Sequence, residues 1–326
     1  MKKNKLFEDG VDLSCYSPES ASEANILSRE WMDEFKEVVL SEVKLNGGIL
    51  LRGFNVLNRQ DYKTLIEGFG INLHKYIGGN NPRSEVLEKV YESTSYPPDW
   101  EISLHSEMSH LSHYPDFISF FCERAPAKNH GGRTPVASNI RILELMPKDL
   151  VSRMKETGLR YVQRMPKKSG SMSFGRVWSE VFQNTDKGQI EKFIESHGNR
   201  YEWGNDESLM VSFFQSATKT HPERKCEVWF NQAEQWHHTN LKPEVVSFIQ
   251  KRFGDQGFPH HSGYANGSEF EIEELSQIRA IYKSEARYFD WQQNDVLILD
   301  NLLMSHGRES YKGERSILVA MGNRSA

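Results

Sequence analysis

Cysteine is scarce in this sequence: Cys15, Cys122 and Cys226 are the three among 326 residues, and they form no CxxC pair. Because the number is odd and the spacing is wide, a disulfide framework is excluded and a reducing compartment is expected. Long apolar runs are also missing, so no membrane-spanning segment is predicted. The lysines near the N-terminus are followed by no apolar stretch, which argues against a secretory signal. We therefore expect a soluble cytoplasmic protein.

An excess of basic charge is absent as well. The chain has 40 Lys and Arg residues against 45 Asp and Glu residues, a net charge of −5, and the two signs are mixed along it. A nucleic acid held by a basic face and a membrane held by a polybasic patch are therefore not expected as partners. No internal repeat or low-complexity linker divides the chain. We expect one domain over residues 1–326, with an N-terminal helical segment over about 1–45 and an insertion or lid over about 160–265.

Apolar periodicity predicts short strands with helices before and between them. Helical spacing is found over residues 26–44, 61–68, 139–145, 147–156, 189–196, 243–253 and 269–285. Runs of apolar and β-prone residues predict strands over 49–54, 117–123, 159–163, 228–231, 295–300 and 316–321. Residues 70–100 are predicted as an ordered loop region, and residues 258–268 as a mobile segment. The pattern favours an α+β, mainly β fold with a jelly-roll-type barrel.

Two fragments about 200 residues apart carry the residue types of a metal site. His105 and Glu107 lie in the first fragment, SLHSEMSH, and His306 follows the predicted strand 295–300 by a few residues. In an extended segment, residues two apart project to the same side, so His105 and Glu107 can face one cavity. Two imidazoles and one carboxylate fill one face of the octahedron around a non-haem Fe(II) and leave three positions open. A barrel that brings the two fragments together at its mouth is the simplest geometry in which they can share one metal.

Two further features are open to more than one interpretation. A second HxE pair, His221 and Glu223, lies in a charged run with a proline and is interpreted as a solvated turn. Arg315 opens the apolar strand 316–321, where a guanidinium needs an anionic partner. That partner is either a co-substrate carboxylate or an internal salt bridge to Asp295 or Glu314.

The motifs together resemble the TauD/TfdA family of Fe(II)/2-oxoglutarate-dependent oxygenases, and within it the SyrP-like branch. The matching stretches are SLHSEMSH, GGRTPVA at 131–137, WFNQ at 229–232, DNLLMSHGR at 300–308 and YKGER at 311–315. The resemblance extends over most of the chain from about residue 45. It implies a double-stranded β-helix core of the jelly-roll, cupin-like type, with flanking and inserted helices.

The resemblance also implies roles for individual residues. His105, Glu107 and His306 would bind Fe(II), while Arg315 would hold the distal carboxylate of 2-oxoglutarate with help from Thr134. Since halogenases of this superfamily have a small residue in place of the carboxylate, Glu107 implies hydroxylation of an unactivated C–H bond, with O2 as the second co-substrate. The implied substrate is an amino acid or an amino-acid-derived compound, free or carried on a peptidyl-carrier protein, in natural-product biosynthesis.

Several assignments stay open at this point. Arg308 is the alternative to Arg315 at the co-substrate. Asn231 either hydrogen-bonds the substrate or has a structural role in a turn, His238 either lines the pocket or packs elsewhere, and Arg83 either approaches the pocket or lies on a surface loop. The segments 78–100 and 160–265 are the expected covers of the site.

Two other functions fit the same residues. A Zn²⁺ hydrolase could use the same three ligands with water in the open position, although the motif offers no obvious general base and no role for Arg315. A non-catalytic barrel that serves as a binding or scaffold protein is the second alternative. The sequence leaves a homo-oligomer open.

Overall fold

A computed structural model describes residues 1–79, 81, 83–168 and 175–324. The strands are β1 (Lys2–Lys5), β2 (Ser14–Ser17), β3 (Gly48–Leu51), β4 (Ile71–Leu73), β5 (Glu85–Leu87), β6 (Val90–Glu92), β7 (Ile102–His105), β8 (Phe117–Arg124), β9 (Val136–Ser138), β10 (Leu159–Met165), β11 (Arg200–Trp203), β12 (Leu209–Gln215), β13 (Thr218–Thr220), β14 (Glu227–Trp229), β15 (His260–Tyr264), β16 (Val296–Asp300), β17 (Met304–Arg308) and β18 (Ser316–Arg324). The helices are α1 (Arg29–Asn46), α2 (Arg59–Gly68), α3 (Asn139–Leu145), α4 (Lys148–Thr157), α5 (Trp178–Val181), α6 (Lys187–Ser196), α7 (Ala233–Trp236), α8 (Pro243–Phe253) and α9 (Ile272–Glu285), with single 3₁₀ turns at His238–Asn240 and Asp255–Gly257.

Two sheets of unequal size form the core. The larger is nine-stranded, with the order β1-β2-β3-β16-β8-β18-β6-β5 and with β4 paired to β18. The smaller has the order β7-β17-β9. Apart from the parallel pair β2 and β3, the strand pairs of both sheets are antiparallel. The segment expected as an insertion contributes a separate four-stranded sheet, β11-β12-β10-β15, and the hairpin β13-β14.

Strand β16 shows how the larger sheet separates two apolar layers. Leu297 and Leu299 belong to the apolar cluster shared with the smaller sheet, whereas Val296 and Ile298 belong to the cluster under helices α1 and α2. Successive side chains of a strand point to opposite faces, so a continuous apolar run is the pattern of a strand buried on both sides. The predicted jelly-roll-type core with flanking helices is confirmed.

Helix α1 has clear signals at both ends. The Ser28 hydroxyl accepts a hydrogen bond from the backbone N–H of Trp31, which satisfies one of the free donors of the first turn. Gly47 adopts a left-handed conformation with φ of 83°, and its N–H donates to the carbonyl of Val43. A Cβ at Gly47 would also lie 2.6 Å from the Met304 side chain. Glycine therefore ends the helix and lets the chain turn directly into β3.

Two sequence predictions about the strands were wrong, and one strand was not predicted. His306 lies a few residues beyond the end of β16, as expected, but within the unpredicted strand β17. Residues 258–268 were expected to be mobile, yet β15 pairs along its length with β10. The loop region 70–100 contains the short strands β4, β5 and β6. In each case the strand is short or polar, and its pairing with a distant segment outweighs its weak local preference.

None of the helices in the described part of the chain has the length and apolarity that a bilayer crossing requires.

Candidate metal centre

The pairing of β7 with β17 places two histidines opposite each other. His306 and His105 are direct partners in the antiparallel register, and their ring centroids are 4.5 Å apart. Side chains at opposed positions of an antiparallel pair lie on the same face of the sheet. Both imidazoles are buried, and the Phe120 ring of β8 in the larger sheet lies 5.1 Å from that of His306. The two histidines therefore lie between the two sheets of the core.

Glu107 completes a group of three metal-ligand residues. It follows His105 by two positions, just beyond the end of β7. One ligand atom from each of His105, Glu107 and His306 lies within 4.8 Å of the other two, and Nε2 of His306 is 3.8 Å from Oε2 of Glu107. Met108, the next residue, has a positive φ of 56°, which is uncommon outside glycine. The chain thus turns sharply directly after the carboxylate.

The two imidazoles have nitrogen atoms free for a cation. Nδ1 of His105 donates to the Ser103 carbonyl at 2.9 Å, which leaves the buried Nε2 without a hydrogen-bond partner among the described residues. Nε2 of His306, which faces Glu107 at 3.8 Å, makes no hydrogen bond within that part of the chain, and Nδ1 of the same ring is buried and unpartnered there. Burial lowers the pKa of both histidines, so both are neutral near pH 7. Neutral imidazole is the form that binds metal, and buried nitrogen atoms without partners are costly unless a ligand satisfies them. The donor set therefore fits a divalent metal.

Asn301 ties the two fragments together. Its Oδ1 accepts from the backbone N–H of Glu107 at 2.7 Å, and its Nδ2 donates to the carbonyls of Glu107 and Pro115, both at 2.9 Å. The side chain is fully buried. Sequence analysis gave this residue no role, although it lies within the motif DNLLMSHGR. The amide is a positioning group that holds the Glu107 segment against the chain before β17.

We expect Asn301→Ala to lower the free energy of unfolding by about 3 kcal/mol, because several buried backbone groups lose their partners at about 1–3 kcal/mol each. Urea unfolding followed by circular dichroism measures this change at constant m value. Asn4→Ala, at an exposed position of β1, is the matched control and should stay within about 0.5 kcal/mol of the parent. Equal stability of Asn301→Ala and the parent would contradict the positioning role.

Arg315 lies in the same cavity as the two histidines, together with Thr134. Its Nε donates to the Gly132 carbonyl at 2.8 Å, whereas Nη2 lies 3.4 Å from Oγ1 of Thr134 and Nη1 lies 3.5 Å from Oγ of Ser93. Burial lowers the pKa of Arg315 to about 10, so it stays charged at neutral pH. The two terminal nitrogens of this half-buried cation are therefore only weakly engaged.

The internal salt bridges considered for Arg315 are not formed. Asp295 pairs with Arg52 at 2.6 Å, and Glu314 pairs with Arg124 at the surface. No carboxylate among the described residues pairs with Arg315. Since a buried guanidinium needs an anion, the arrangement fits the carboxylate of a small molecule.

Arg308 also lines the cavity, but its terminal nitrogens are engaged. Nη1 donates to the Tyr96 carbonyl at 3.0 Å, and Nη2 donates to the carbonyls of Pro97 and Trp100 at 2.6 Å. Its guanidinium thus holds the segment 96–100 in place. The geometry favours Arg315 over Arg308 as the residue that is available to a co-substrate.

Arg83 is buried at the site and does not lie on a surface loop. Its side chain is 3% exposed, and its Nη2 donates to Oε2 of Glu107 at 2.6 Å. Nε and Nη1 are buried with no partner among the described residues, and the guanidinium lies over the Tyr76 ring at 4.8 Å. The signal in the sequence was weak, because Arg83 lies 24 positions before the carboxylate that it contacts.

The other two substrate candidates lie away from the two histidines. The Asn231 amide donates to the Ala217 carbonyl at 2.9 Å and accepts from the N–H of Ala233 at 3.2 Å, so its contacts are those of a turn. His238 lines a neighbouring cavity with Trp100 and Trp236. That cavity shares Asn81 and Ile102 with the cavity of the two histidines.

The interpretation of His221 as a solvated residue was wrong. Its side chain is buried, and Nε2 lies 3.0 Å from Oδ2 of Asp300. Oδ1 of Asp300 accepts from the backbone N–H groups of Leu302 and Leu303. His221 thus supports the turn that leads into β17. The charged residues beside it in the sequence concealed its burial.

The expected covers are described only in part. Asn80 and Pro82 of the first cover and residues 169–174 of the second lie outside the described residues.

Comparisons with known proteins identify relatives over nearly the whole chain. The family described as taurine catabolism dioxygenase TauD, TfdA matches residues 20–321. The dapdiamide synthesis protein DdaC of Enterobacter agglomerans is 33% identical over 311 residues, which are 95% of this chain and 90% of that protein. A clavaminate synthase-like protein of Arabidopsis thaliana is 28% identical over 287 residues, which are 85% of this chain and 81% of that protein.

Solved structures share the fold at low sequence identity. An asparagine oxygenase in complex with Fe(II), 2S,3S-3-hydroxyasparagine and succinate has a TM-score of 0.57 at 11% identity and covers 94% of this chain and 93% of its own. PvcB of Pseudomonas aeruginosa, an Fe, α-ketoglutarate dependent oxygenase from an isonitrile synthetic pathway, has a TM-score of 0.52 at 15% identity, with 95% and 85% covered.

Proposed function

The chain belongs to the TauD/TfdA family of Fe(II)/2-oxoglutarate-dependent oxygenases, and on that premise we propose that it hydroxylates an unactivated C–H bond of an amino acid or an amino-acid-derived substrate. The observation that carries the proposal is the convergence of ligand atoms of His105, Glu107 and His306 within 4.8 Å, beside a cavity lined by both histidines and by Arg315, with which no carboxylate of the described residues pairs. A chelating dicarboxylate such as 2-oxoglutarate needs a metal at one end and a cationic side chain for the carboxylate at the other end. A metal site next to an anion site meets both needs.

In this proposal His105, Glu107 and His306 hold the iron. The ion with its co-substrates supplies the oxidising power: one atom of O2 enters the substrate as hydroxyl, the other enters succinate, and 2-oxoglutarate loses CO2. The chain supplies fixed geometry. The Ser103 carbonyl orients the His105 ring, and Asn301 holds the backbone of Glu107. Partners of this kind set the orientation and basicity of metal ligands.

Arg315 and Thr134 are proposed to bind the distal carboxylate of 2-oxoglutarate. The Thr134 hydroxyl accepts from Nε1 of Trp291 at 3.0 Å, so its own proton is free to donate. Arg315 offers Nη1 and Nη2, which are weakly engaged in the structure. A planar guanidinium matches a carboxylate through two parallel hydrogen bonds, and burial strengthens the pairing.

The substrate class rests on Arg83 and on the relatives. A buried guanidinium beside the proposed metal ligands, with two nitrogens that have no partner among the described residues, can pair with a carboxylate, which every free amino acid carries. The names of DdaC and of asparagine oxygenase connect those proteins with dapdiamide synthesis and with hydroxyasparagine. The adjoining cavity, which Trp100, Trp236 and His238 line, is proposed to take the rest of the substrate.

The proposal is tested by anaerobic titration of the metal-free protein with Fe(II) and 2-oxoglutarate, which should produce the weak visible charge-transfer band of the chelate. Succinate release is then scored over a panel of amino acids, free and attached to carrier proteins. A Zn²⁺ hydrolase would release no succinate and consume no O2. A scaffold protein would show neither the band nor turnover, and either outcome would exclude the oxygenase proposal.

We expect Arg83→Gln to raise the KM for the substrate by at least about 30-fold, because the loss of one partner of a buried charge pair costs about 2–5 kcal/mol. The KM for 2-oxoglutarate should change far less, since Arg315 is intact. Initial rates of succinate release at varied substrate and varied co-substrate separate the two effects. Arg141→Gln, which removes an arginine that pairs with Glu285 near the surface, is the matched control. An unchanged substrate KM in Arg83→Gln would remove Arg83 from the substrate site.

A further inference from the structure

A second group of converging imidazoles lies outside the residues assigned above to iron. His237, His238 and His261 each offer a ring nitrogen, and these atoms lie within 4.8 Å of one another. The ring centroids are 4.3 Å apart for His237 and His238, 5.4 Å for His237 and His261, and 5.9 Å for His238 and His261. The corresponding distance between His105 and His306 is 4.5 Å. The spacing of His237 and His238 thus resembles that of His105 and His306, and His261 lies within about 6 Å of both.

Two of the three rings have side-chain partners that hold their orientation. Nδ1 of His237 lies 2.8 Å from Oγ1 of Thr239 and accepts from the backbone N–H of Thr239 at 3.3 Å, whereas Nε2 of His261 lies 2.8 Å from Oε2 of Glu269. Because a carboxylate accepts, Nε2 of His261 carries the proton and its Nδ1 is a lone-pair donor. Metal-binding histidines almost always donate their other N–H to a carboxylate, a carbonyl or another oxygen acceptor. Thr239 is itself held by Nη2 of Arg279 at 2.7 Å.

The surroundings favour the neutral form of His237 and His238. Burial, followed by the proximity of His238 and His261, lowers the pKa of His237 to about 3. Burial also lowers the pKa of His238, against the opposing influence of Asp255 and Glu269. Neutral imidazoles packed together can bind a cation, and the nearby Arg279 is already paired with Glu234 at 2.7 Å.

We propose that His237, His238 and His261 form a second metal site, selective for a divalent transition metal of borderline softness such as Zn²⁺. Three imidazoles suit zinc, nickel and copper better than calcium or magnesium, which prefer oxygen ligands. The three rings also line a cavity of about 430 Å³ that contains Arg160 and Arg164. The remaining coordination position is therefore open to water or to a small anion.

The site would join two elements that border the substrate cavity. His237 and His238 lie at the 3₁₀ turn that follows α7, and His261 lies in β15. Helix α7 also contains Gln235, whose Nε2 is 3.4 Å from Nδ1 of His105. A metal bound to the three histidines would thus fix the α7 segment against the four-stranded sheet.

Metal stoichiometry tests the proposal independently of turnover. Untagged, metal-free protein is titrated anaerobically with Co²⁺, with visible ligand-field bands as the readout, and Zn²⁺ content is measured by mass spectrometry. The parent should bind two equivalents. His261→Ala and His306→Ala should each bind one, with different residual spectra, and the double variant should bind none. His130→Ala, which removes an exposed histidine, is the control and should bind two.

In each single variant, binding of the one remaining metal equivalent should show that the unmutated site is intact. That binding is the control for correct folding of the variant. His238→Asn removes a ligand from the 3₁₀ turn instead of from β15 and should weaken Zn²⁺ binding at this site by at least about 100-fold. Two outcomes would overturn the proposal. One is a single equivalent in the parent that His306→Ala abolishes, and the other is retention of both equivalents in His261→Ala and His238→Asn.

Discussion

Replacement of His306 by alanine should lower the rate of 2-oxoglutarate turnover by more than about 100-fold, since even the loss of a supporting residue behind a metal ligand typically costs 10–100-fold. The contacts of His306 indicate that this substitution disturbs few other interactions. His306 makes ring contacts with His105 and Phe120, and no hydrogen bond to its ring nitrogens is found among the described residues. The substitution therefore removes the proposed ligand without breaking a hydrogen-bond network of the described residues.

The measurement for His306→Ala is succinate formation under saturating Fe(II) and 2-oxoglutarate, paired with the anaerobic charge-transfer band. Both should be lost, while thermal unfolding of the metal-free protein shifts only by the cost of a small cavity. His130→Ala is the matched control because it removes an exposed histidine and should keep both signals. Turnover at the parental rate in His306→Ala would mean that this imidazole does not bind the iron.

The second large effect is expected for Arg315→Gln. The KM for 2-oxoglutarate should rise by at least about 30-fold, which corresponds to the lower end of the 2–5 kcal/mol lost when one partner of a buried charge pair is removed. With a pKa of about 10, Arg315 is charged throughout the range from pH 6 to 8, so the effect should persist across it. Initial rates at varied 2-oxoglutarate and saturating substrate measure it.

Arg124→Gln is the matched control for Arg315→Gln, because Arg124 pairs with Glu314 at the surface and does not line the cavity. Its KM for 2-oxoglutarate should equal that of the parent. An unchanged KM in Arg315→Gln, together with a raised KM in Arg308→Gln, would transfer the co-substrate role to Arg308. The contacts of Arg308 with three backbone carbonyls make that outcome unexpected.

The elements that local sequence predicts well are those with strong periodicity. Helix α8 was predicted with its exact bounds, and the predicted range of α3 was also exact. The strand at 295–300 was predicted to within one residue, since its apolar run requires burial on both faces. Such elements are specified by their own residues, so no knowledge of the partner strand is needed.

Strand β17 shows where this approach fails. Met304–Arg308 contains serine, histidine, glycine and arginine, which give neither an apolar run nor a clear alternation. The strand exists because β7 and β9 pair with it on either side. Those partners lie more than 150 residues earlier in the chain, so a local pattern cannot reveal them. The branch within the family and the boundaries of the insertion stay predictions.

The site residues also fall into two groups: those that sequence motifs reveal and those that only the folded chain reveals. His105, Glu107, His306 and Arg315 could be chosen from motifs, because their spacing is itself informative. The approach of Arg83 to Glu107 could not, since it depends on how the segment after β4 folds back onto the core. Asn301 was visible within a motif, but its three hydrogen bonds to distant backbone are a property of the folded chain.

The direct opposition of His105 and His306 has a consequence for biogenesis. During synthesis the first histidine leaves the ribosome about 200 residues before the second, and the two meet when the late strand inserts between its two early neighbours. With the ligand set proposed above, a nascent chain that lacks β17 has no complete iron site. Iron held by all three residues would therefore report that β17 has paired with β7.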